Sequence, residues 1–262
     1  MCIRDRPCTE AIIRNNIKKV VISINDPNEK VDSISTAYLK NQGVEVISGV
    51  LPEEGSRVIA PFKAHLNQRP YIILKWAQSS DGYIGKRGKQ VWLSNKLSKI
   101  KSHQWRTEVN GILVGHNTVL VDNPILNARL VKGDNPLRII LTNEISPLKT
   151  KQVWTDERPA LFLGDIESAS HNKKECCHMP LGNVLDLLDL LFEKEINHLL
   201  VEGGFKTIMK FINAGLWDEC RIIKTLAPLL SGIKAPQVRG ELYYSETLDS
   251  DVIQYITNNK KC

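Results

Sequence analysis

The sequence has no run of about 18 apolar residues, so it offers no helix able to cross a bilayer. Its N-terminus lacks the apolar core of a secretory signal, which leaves a cytoplasmic protein as the expectation. Basic residues never run longer than pairs, as at Lys18-Lys19, Lys173-Lys174 and Lys260-Lys261. The net charge of +6 is therefore spread thinly, without the patch and interleaved aromatics of a nucleic-acid binder; it suits an anionic small substrate. Cys2, Cys8, Cys176, Cys177, Cys220 and Cys262 follow no framework spacing and two are adjacent, so a reducing compartment is expected rather than a disulfide scaffold. The dinucleotide fingerprint Gly-x-Gly-x-x-Gly is also missing, which argues against an ordinary Rossmann dehydrogenase. Internal repeats and low-complexity tracts are absent as well.

At 262 residues, with 42% of them hydrophobic, the chain exceeds one ordinary domain and has enough apolar mass for a real core. In its first part, helix is expected over Glu10 to Lys18 and on to Asn41 from Thr36, with strands at Val20 to Ile24 and Val44 to Ile47. That alternation is too short to close a domain. Leu51 to Gln68 places Glu53, Glu54, Arg57 and Lys63 on a helical period and runs into Arg69-Pro70, the expected boundary.

The second part opens with Tyr71 to Trp76, apolar enough for a strand buried on both faces. Further strands are expected at Gly111 to Val114, Leu137 to Thr142, Ala160 to Leu163, His198 to Val201 and Cys220 to Thr225. Helices are expected over Lys96 to Thr107, Val184 to Glu193 and Thr207 to Ala214. Strands alternating with helices imply an α/β fold around a mostly parallel sheet.

Two strand-to-helix turns stand out chemically. In Leu199-Leu200-Val201-Glu202-Gly203-Gly204-Phe205-Lys206-Thr207 an apolar strand ends in a carboxylate, two glycines and a helix start. Glycines let backbone approach a ligand closely, and free amides at a helix start attract phosphate, so a pyrophosphate fits there; a plain turn is the competing reading. Gly111 to Thr118 repeats the pattern, with Asn117 or Thr118 able to cap the helix. Lys75, Asp81, Asp122, Arg106 and Arg129 lie near strand ends or flank these turns. Each has an ordinary explanation as a turn former or a solvated side chain, yet ligands of parallel sheets bind at the carboxyl ends of strands, where Lys75, Gly115 and Glu202 should converge. Cys176-Cys177-His178 reads as a solvent-facing loop rather than a metal site, and Trp105 and Trp217 read as packing residues.

Leu74 to Gly82, Trp92-Leu93-Ser94, Gly115 to Arg129, Val201 to Gly204 and Leu216 to Glu219 together resemble, in order and spacing, the reductase domain of the bifunctional riboflavin biosynthesis deaminase/reductase family. The resemblance runs from Arg69 to the C-terminus and assigns residues 69–262 to an NADPH-dependent reductase domain of dihydrofolate-reductase-like fold. Its implied reaction is reduction of the ribosyl group of 5-amino-6-(5-phosphoribosylamino)uracil to the ribityl product. By the same resemblance Ala77, Trp92, Thr118, Asp122, Asn143 and the stretch Gly204, Phe205, Lys206, Thr207, Ile208, Met209 and Lys210 would contact NADPH. Gln90, Arg106, Leu126, Arg129 and Glu202 would contact substrate, the two arginines fitting its phosphate by bidentate hydrogen bonds. Lys75 and Glu202 are the catalytic candidates, with acid and base roles unassigned; a Lys75 to Glu202 ion pair tying two strand ends is the competing reading. Ser80 and Thr142 depart from the family's usual leucine and aspartate, the second bearing on the preference for NADPH over NADH.

Residues 1–66 resemble the last part of the family's zinc deaminase domain, with Cys8 of Pro7-Cys8-Thr9-Glu10 in the place of the final metal ligand and Met1 to Arg6 unlike the family. The His-x-Glu segment and the first Pro-Cys are not in the sequence, and Cys2 does not replace them. One ligand cannot hold a catalytic zinc, so neither zinc binding nor deamination is expected. The family implies a homo-oligomer acting on a phosphorylated ribosylaminopyrimidine, with no membrane or nucleic-acid partner. Two alternatives stay open: a reductase of another heterocycle on the same fold, which should lack the Arg106 and Arg129 pair, and an inactive fragment of low solubility, which should not bind NADPH.

Overall fold

The computed structural model describes residues 8–27 and 29–258, and their side chains apart from 29–34. The expectations for Met1 to Arg6, Cys2, Pro7, Lys260-Lys261 and Cys262 lie outside the described residues. The chain divides into two compact units, Met1–Asn67 and Gln68–Cys262.

The first unit contains α1 (Cys8–Arg14), β1 (Lys19–Ile22), α2 (Glu29–Asn41), β2 (Glu45–Ser48), α3 (Pro52–Val58) and α4 (Ala60–Leu66). β1 and β2 pair in parallel with Lys19 opposite Glu45, whose side chains form a 3.0 Å ion pair. The helical stretch expected over Leu51 to Gln68 is two helices, parted at Ile59. Pro61 causes the break: it has no amide hydrogen to continue α3, and it is tolerated in the first turn of α4, where that hydrogen has no helical partner.

The second unit contains β3 (Tyr71–Gln78), β4 (Tyr83–Gly85), α5 (Lys96–Thr107), β5 (Gly111–Gly115), α6 (His116–Asp122), β6 (Leu137–Leu141), α7 (Gln152–Thr155), β7 (Ala160–Gly164), β8 (Ala169–His171), β9 (Lys174–His178), α8 (Val184–Glu193), β10 (His198–Gly203), α9 (Phe205–Ala214), β11 (Glu219–Lys224), β12 (Ile233–Lys234), β13 (Glu241–Leu248) and β14 (Asp251–Thr257). A 10-stranded sheet runs in the order β13-β14-β11-β3-β10-β5-β6-β7-β9-β8. From β11 to β9 every pairing is parallel, and the antiparallel partners β13, β14 and β8 sit at the margins. The α/β class and the mostly parallel sheet hold as expected.

The central strands read YIILKW, GILVG and LRIIL because both of their faces are covered, and Ile72, Leu74, Leu113, Ile139, Leu199 and Val201 form one buried cluster with Leu187 and Leu191 of α8 and Phe211 of α9. Each residue buried this way contributes on the order of 2 kcal/mol. Trp105 and Trp217 are packing residues, 1% and 5% exposed. Cys176, Cys177 and His178 are not in a loop: they belong to β9, with Cys176 buried. The alternation of β9 is masked in sequence by its charged first residues.

Asn95 starts α5 and fixes its direction. Its Oδ1 accepts from the Ser98 amide at 2.9 Å, while its own amide donates to Asp251 at 2.8 Å and its Nδ2 to the Leu248 carbonyl at 2.6 Å. The helix is thereby tied to the tight turn between β13 and β14. At the opposite, amino ends of the strands, Arg138 of β6 makes bonds of 2.9 and 2.7 Å to both oxygens of Asp156. Arg158 shares that carboxylate, and Lys174 of β9 donates to the Asp156 and Arg158 carbonyls, each at 2.6 Å.

Candidate active site

Lys75, Ala77, Glu202 and Gly115 come together at the carboxyl ends of the neighbouring strands β3, β10 and β5. Lys75 and Ala77 share a face of β3 because strand side chains alternate. One register step past the Leu74 to Val201 pair, Lys75 and Glu202 end up side by side. They are not ion-paired, however. Glu202 binds Arg106 of α5, which donates from Nε to Oε1 at 2.9 Å and from Nη2 to Oε2 at 2.7 Å. The Arg106 Nη1 donates to the Asn127 carbonyl at 2.9 Å. The expected alternative of a Lys75 to Glu202 tie is thus replaced by an arginine from a helix that sequence spacing could not match to β10.

Electrostatics follow from this geometry. Burial alone would raise the Glu202 pKa, but Arg106 and Lys75 outweigh it and bring the carboxyl down to about 2. For Lys75, burial is the leading effect and lowers its pKa; Glu202 opposes and Arg106 adds to the lowering. Lys75 makes no hydrogen bond or ion pair within the described residues, which leaves its ammonium available. Asp122, last residue of α6, is pushed above the usual carboxylate value by burial.

The two glycine turns also meet. A Cβ placed on Gly204 would lie 3.1 Å from the Thr118 Oγ1, and one on Gly115 would lie 2.4 Å from the Thr207 Oγ1. Neither α6 nor α9 has a side-chain cap: Gly115 and Gly204 are the cap residues, so the expected capping by Asn117 or Thr118 does not occur. The first amides of α9 lack a side-chain acceptor, as a phosphate-binding helix start does. Within the expected contact stretch, Phe205 and Lys206 begin α9, Thr207 faces Gly115, and Met209 is partly buried. Ile208 lies in the core and Lys210 donates to the Leu181 carbonyl at 2.5 Å, so both are engaged away from the turn.

The remaining expected residues lie around this centre. Gln90 donates to the Asp122 carbonyl at 3.3 Å. Trp92 is 67% exposed, with the Lys99 ammonium 4.5 Å from its ring centre. Asn143 follows β6 and accepts from the Asp165 amide at 3.0 Å. Next to it, the Thr142 hydroxyl donates to the Glu144 carbonyl and meets His116 Nδ1 at 2.7 Å. Leu126 is buried with φ of 57°, and Arg129 is exposed, held by a 2.9 Å bond from Nη1 to the Asn127 side chain. Of the two arginines expected at a phosphate, only Arg129 therefore has its fork largely free; most of Arg106's is given to Glu202 and Asn127.

Sequence reasoning passed over His103 and Asn127. His103 sits three residues before Arg106 on α5 and is 2% exposed. Its spacing from Arg106 was the available signal, since side chains three apart share a helical face. Burial, then Arg106 and Arg129, lower its pKa to about 4, keeping the ring neutral. In the first unit Cys8 is exposed, and among the described residues no group of three or more His, Cys, Asp or Glu side chains gathers as a metal site would. Among those residues, too, no helix is long and apolar enough to cross a membrane.

Comparison with known proteins gives this arrangement a context. The riboflavin biosynthesis protein RibD of Aquifex aeolicus is 38% identical over 238 residues, covering 87% of this chain and 66% of its own length. The RibD of Actinobacillus pleuropneumoniae is 30% identical over 247 residues, covering 88% and 65%. This chain thus spans about two thirds of the length of these curated relatives. Among solved structures, a diaminohydroxyphosphoribosylaminopyrimidine deaminase/5-amino-6-(5-phosphoribosylamino)uracil reductase from Thermotoga maritima is 30% identical with a TM-score of 0.82, covering 97% of this chain and 75% of that one. Acinetobacter baumannii RibD, at 24% identity and a TM-score of 0.77, shares the fold. The model of the RibD C-terminal domain matches residues 70–255, the part that holds Lys75, Arg106 and Glu202, and the chain belongs to that family.

Proposed function

We propose that the unit Gln68–Cys262 is an NADPH-dependent reductase that converts the ribosyl group of 5-amino-6-(5-phosphoribosylamino)uracil to its ribityl form. The observation that carries this reading is the ionised Glu202, gripped at two points by Arg106, with the unpaired ammonium of Lys75 beside it at the carboxyl ends of the strands. Kinship with the riboflavin biosynthesis protein of Aquifex aeolicus and with the deaminase/reductase of Thermotoga maritima supports the same chemistry.

NADPH supplies a hydride when bound, and Gly204, Thr118, Thr207 and the first amides of α9 are the groups suited to its phosphates. Trp92, Ala77, Asp122 and Asn143 complete the proposed cofactor contacts. On the substrate side, Arg129 takes the phosphate, with Gln90 and Leu126 nearby. Arg106 is better suited to holding Glu202 than to a second phosphate contact.

The same reading divides the acid and base roles between Glu202 and Lys75. A carboxylate held near 2 by a bidentate arginine stays ionised and has no proton to give, so Glu202 accepts hydrogen bonds from the sugar hydroxyls. A lysine whose charge is disfavoured by burial gives up a proton more readily, so Lys75 delivers the proton that the opening sugar oxygen gains as C1′ is reduced.

NADPH oxidation by the purified chain, followed by absorbance with this substrate, tests the proposal. Turnover that is lost in Glu202→Gln and in Arg129→Ala supports it. A folded protein that binds NADPH without turning over points to a different heterocycle, and one that binds no NADPH ends the reductase reading.

A further inference from the structure

His116 opens α6 with one ring nitrogen engaged and the other free. Its Nδ1 lies 2.7 Å from the Oγ1 of Thr142, a threonine only 1% exposed just past the end of β6. That hydroxyl is also 2.7 Å from the Glu144 carbonyl, which can only accept, so its single hydrogen points there. The two lone pairs of Oγ1 then receive the Glu144 amide at 3.1 Å and the hydrogen on His116 Nδ1. The tautomer is thereby fixed. Nε2 of this half-buried ring makes no hydrogen bond or ion pair among the described residues. Asn143, the next residue along from Thr142, repeats the arrangement: its Oδ1 accepts from the Asp165 amide at 3.0 Å, which leaves its Nδ2 as a free donor. The backbone beneath is held as well. The Thr142 amide donates to the Leu163 carbonyl at 2.8 Å, and a Cβ on Gly164 would lie 1.7 Å from the Thr142 carbonyl oxygen, so the end of β7 closes directly against it.

The strand order β3-β10-β5-β6 says what these free nitrogens face. A nicotinamide beside Lys75 and Glu202 lies over β3 and β10, and a pyrophosphate at the start of α9 lies past the end of β10. The adenosine half must continue away from the nicotinamide, over the ends of β5 and β6, where Gly115 leads into His116 and Leu141 into Thr142. Thr207 of α9 already lies against Gly115 on this side.

We propose that His116 reads the 2′ position of the cofactor's adenosine ribose and favours NADPH over NADH. The inference rests on the reductase reading in taking the cofactor as a nicotinamide dinucleotide with its pyrophosphate at the start of α9. Protonated at Nε2, the ring donates a charge-assisted hydrogen bond to a 2′-phosphate, whose own charge favours that proton. Toward the 2′-hydroxyl of NADH the unprotonated Nε2 accepts a neutral bond, about half as strong. Thr142 suits this role because it orients Nδ1 with an uncharged oxygen and does not neutralise the ring from behind.

The test measures binding of NADPH and NADH by fluorescence titration to the whole chain, as wild type, His116→Asn and His116→Lys. Asparagine can keep the bond to Thr142 but has no second nitrogen at the Nε2 position. His116→Asn is expected to weaken NADPH binding about ten-fold and NADH binding about two-fold at most. His116→Lys, which keeps a positive charge, should retain most of the preference for NADPH. The fragments adenosine 2′,5′-bisphosphate and 5′-AMP, scored by thermal stabilisation, give a readout without turnover: only the bisphosphate should lose its effect in His116→Asn. Equal weakening of both dinucleotides, or no weakening of either, overturns the inference while leaving the reductase reading in place. Loss of NADPH preference in His116→Lys as complete as in His116→Asn overturns the charge-assisted contact. A folded wild type that binds neither dinucleotide overturns both readings together.

Discussion

Arg106 and Glu202 lie 96 residues apart and meet in a two-point bond of 2.9 and 2.7 Å, with side chains only 12% and 8% exposed. A lysine in place of the arginine keeps the charge but cannot match both oxygens. Arg106→Lys is expected to reduce kcat by roughly ten- to a hundred-fold. It should also move the acid limb of the pH-rate profile upward, as the Glu202 carboxyl relaxes from about 2 toward its ordinary 4.5. An unmoved limb would show that the pair does not set the ionisation of Glu202.

Lys75 makes the opposite prediction at the alkaline end. Burial lowers its pKa from 10.5, so a proton-donating Lys75 should give a kcat that falls with rising pH, with the fall beginning below the usual lysine range. Lys75→Met should abolish the limb along with most of the activity. A limb that persists in any residual activity would assign the proton to another group.

Stability should also depend on pH in the acid range. His103 titrates at about 4 in the fold against 6.5 when free, so between those values the unfolded chain binds more protons and the fold loses stability as pH falls. Glu202, depressed from 4.5 to about 2, extends the loss further down, its contribution being intact above 4.5. Urea unfolding followed from pH 7 to 4 should therefore show a decline whose upper part is flattened in His103→Gln.

A methyl group at position 115 probes the meeting of the two glycine turns. Gly115→Ala would set its Cβ 2.4 Å from the Thr207 hydroxyl and should weaken NADPH binding about ten-fold with a stability loss of roughly 1–3 kcal/mol. Adding Thr207→Ala removes the obstructing oxygen and should recover much of the stability. Fluorescence titration with NADPH and thermal melts measure the two effects separately.

Asp156 belongs to the other end of the sheet. Asp156→Asn leaves Arg138 and Lys174, both 2% exposed, without their carboxylate and should cost about 3 kcal/mol. KM for NADPH and for substrate should not change in the folded fraction. A change in either would tie this clasp to the ligand end.

The parts of the fold most legible in sequence were those with one dominant pattern. The helices Lys96–Thr107 and Val184–Glu193 have the expected bounds because Asn95 and Asn183 cap them by hydrogen bonds to Ser98 and Leu185. The central strands were legible because burial on both faces leaves unbroken apolar runs. β13 and β14 were not, since their half-exposed faces mix Glu, Ser, Thr and Gln into the pattern, and the turn at Asp249, with φ of 55°, carries no glycine. At the site, the residue types were readable from the two glycine turns. Their partners were not: Lys75 is the nearer match to Glu202 by strand position, and only the packing of α5 brings Arg106 in instead.

The cap of α5 also sets the order in which the molecule can be completed. Asn95 is held by Leu248 and Asp251, so the helix that carries His103 and Arg106 gains its final anchor only after the β13–β14 turn exists. On a ribosome the strands bearing Lys75 and Glu202 emerge well before that turn. In the nascent chain the start of α5 consequently lacks this tether until the last hairpin is made, and in a polypeptide halted ahead of Leu248 Asn95 would keep only its local bond to Ser98.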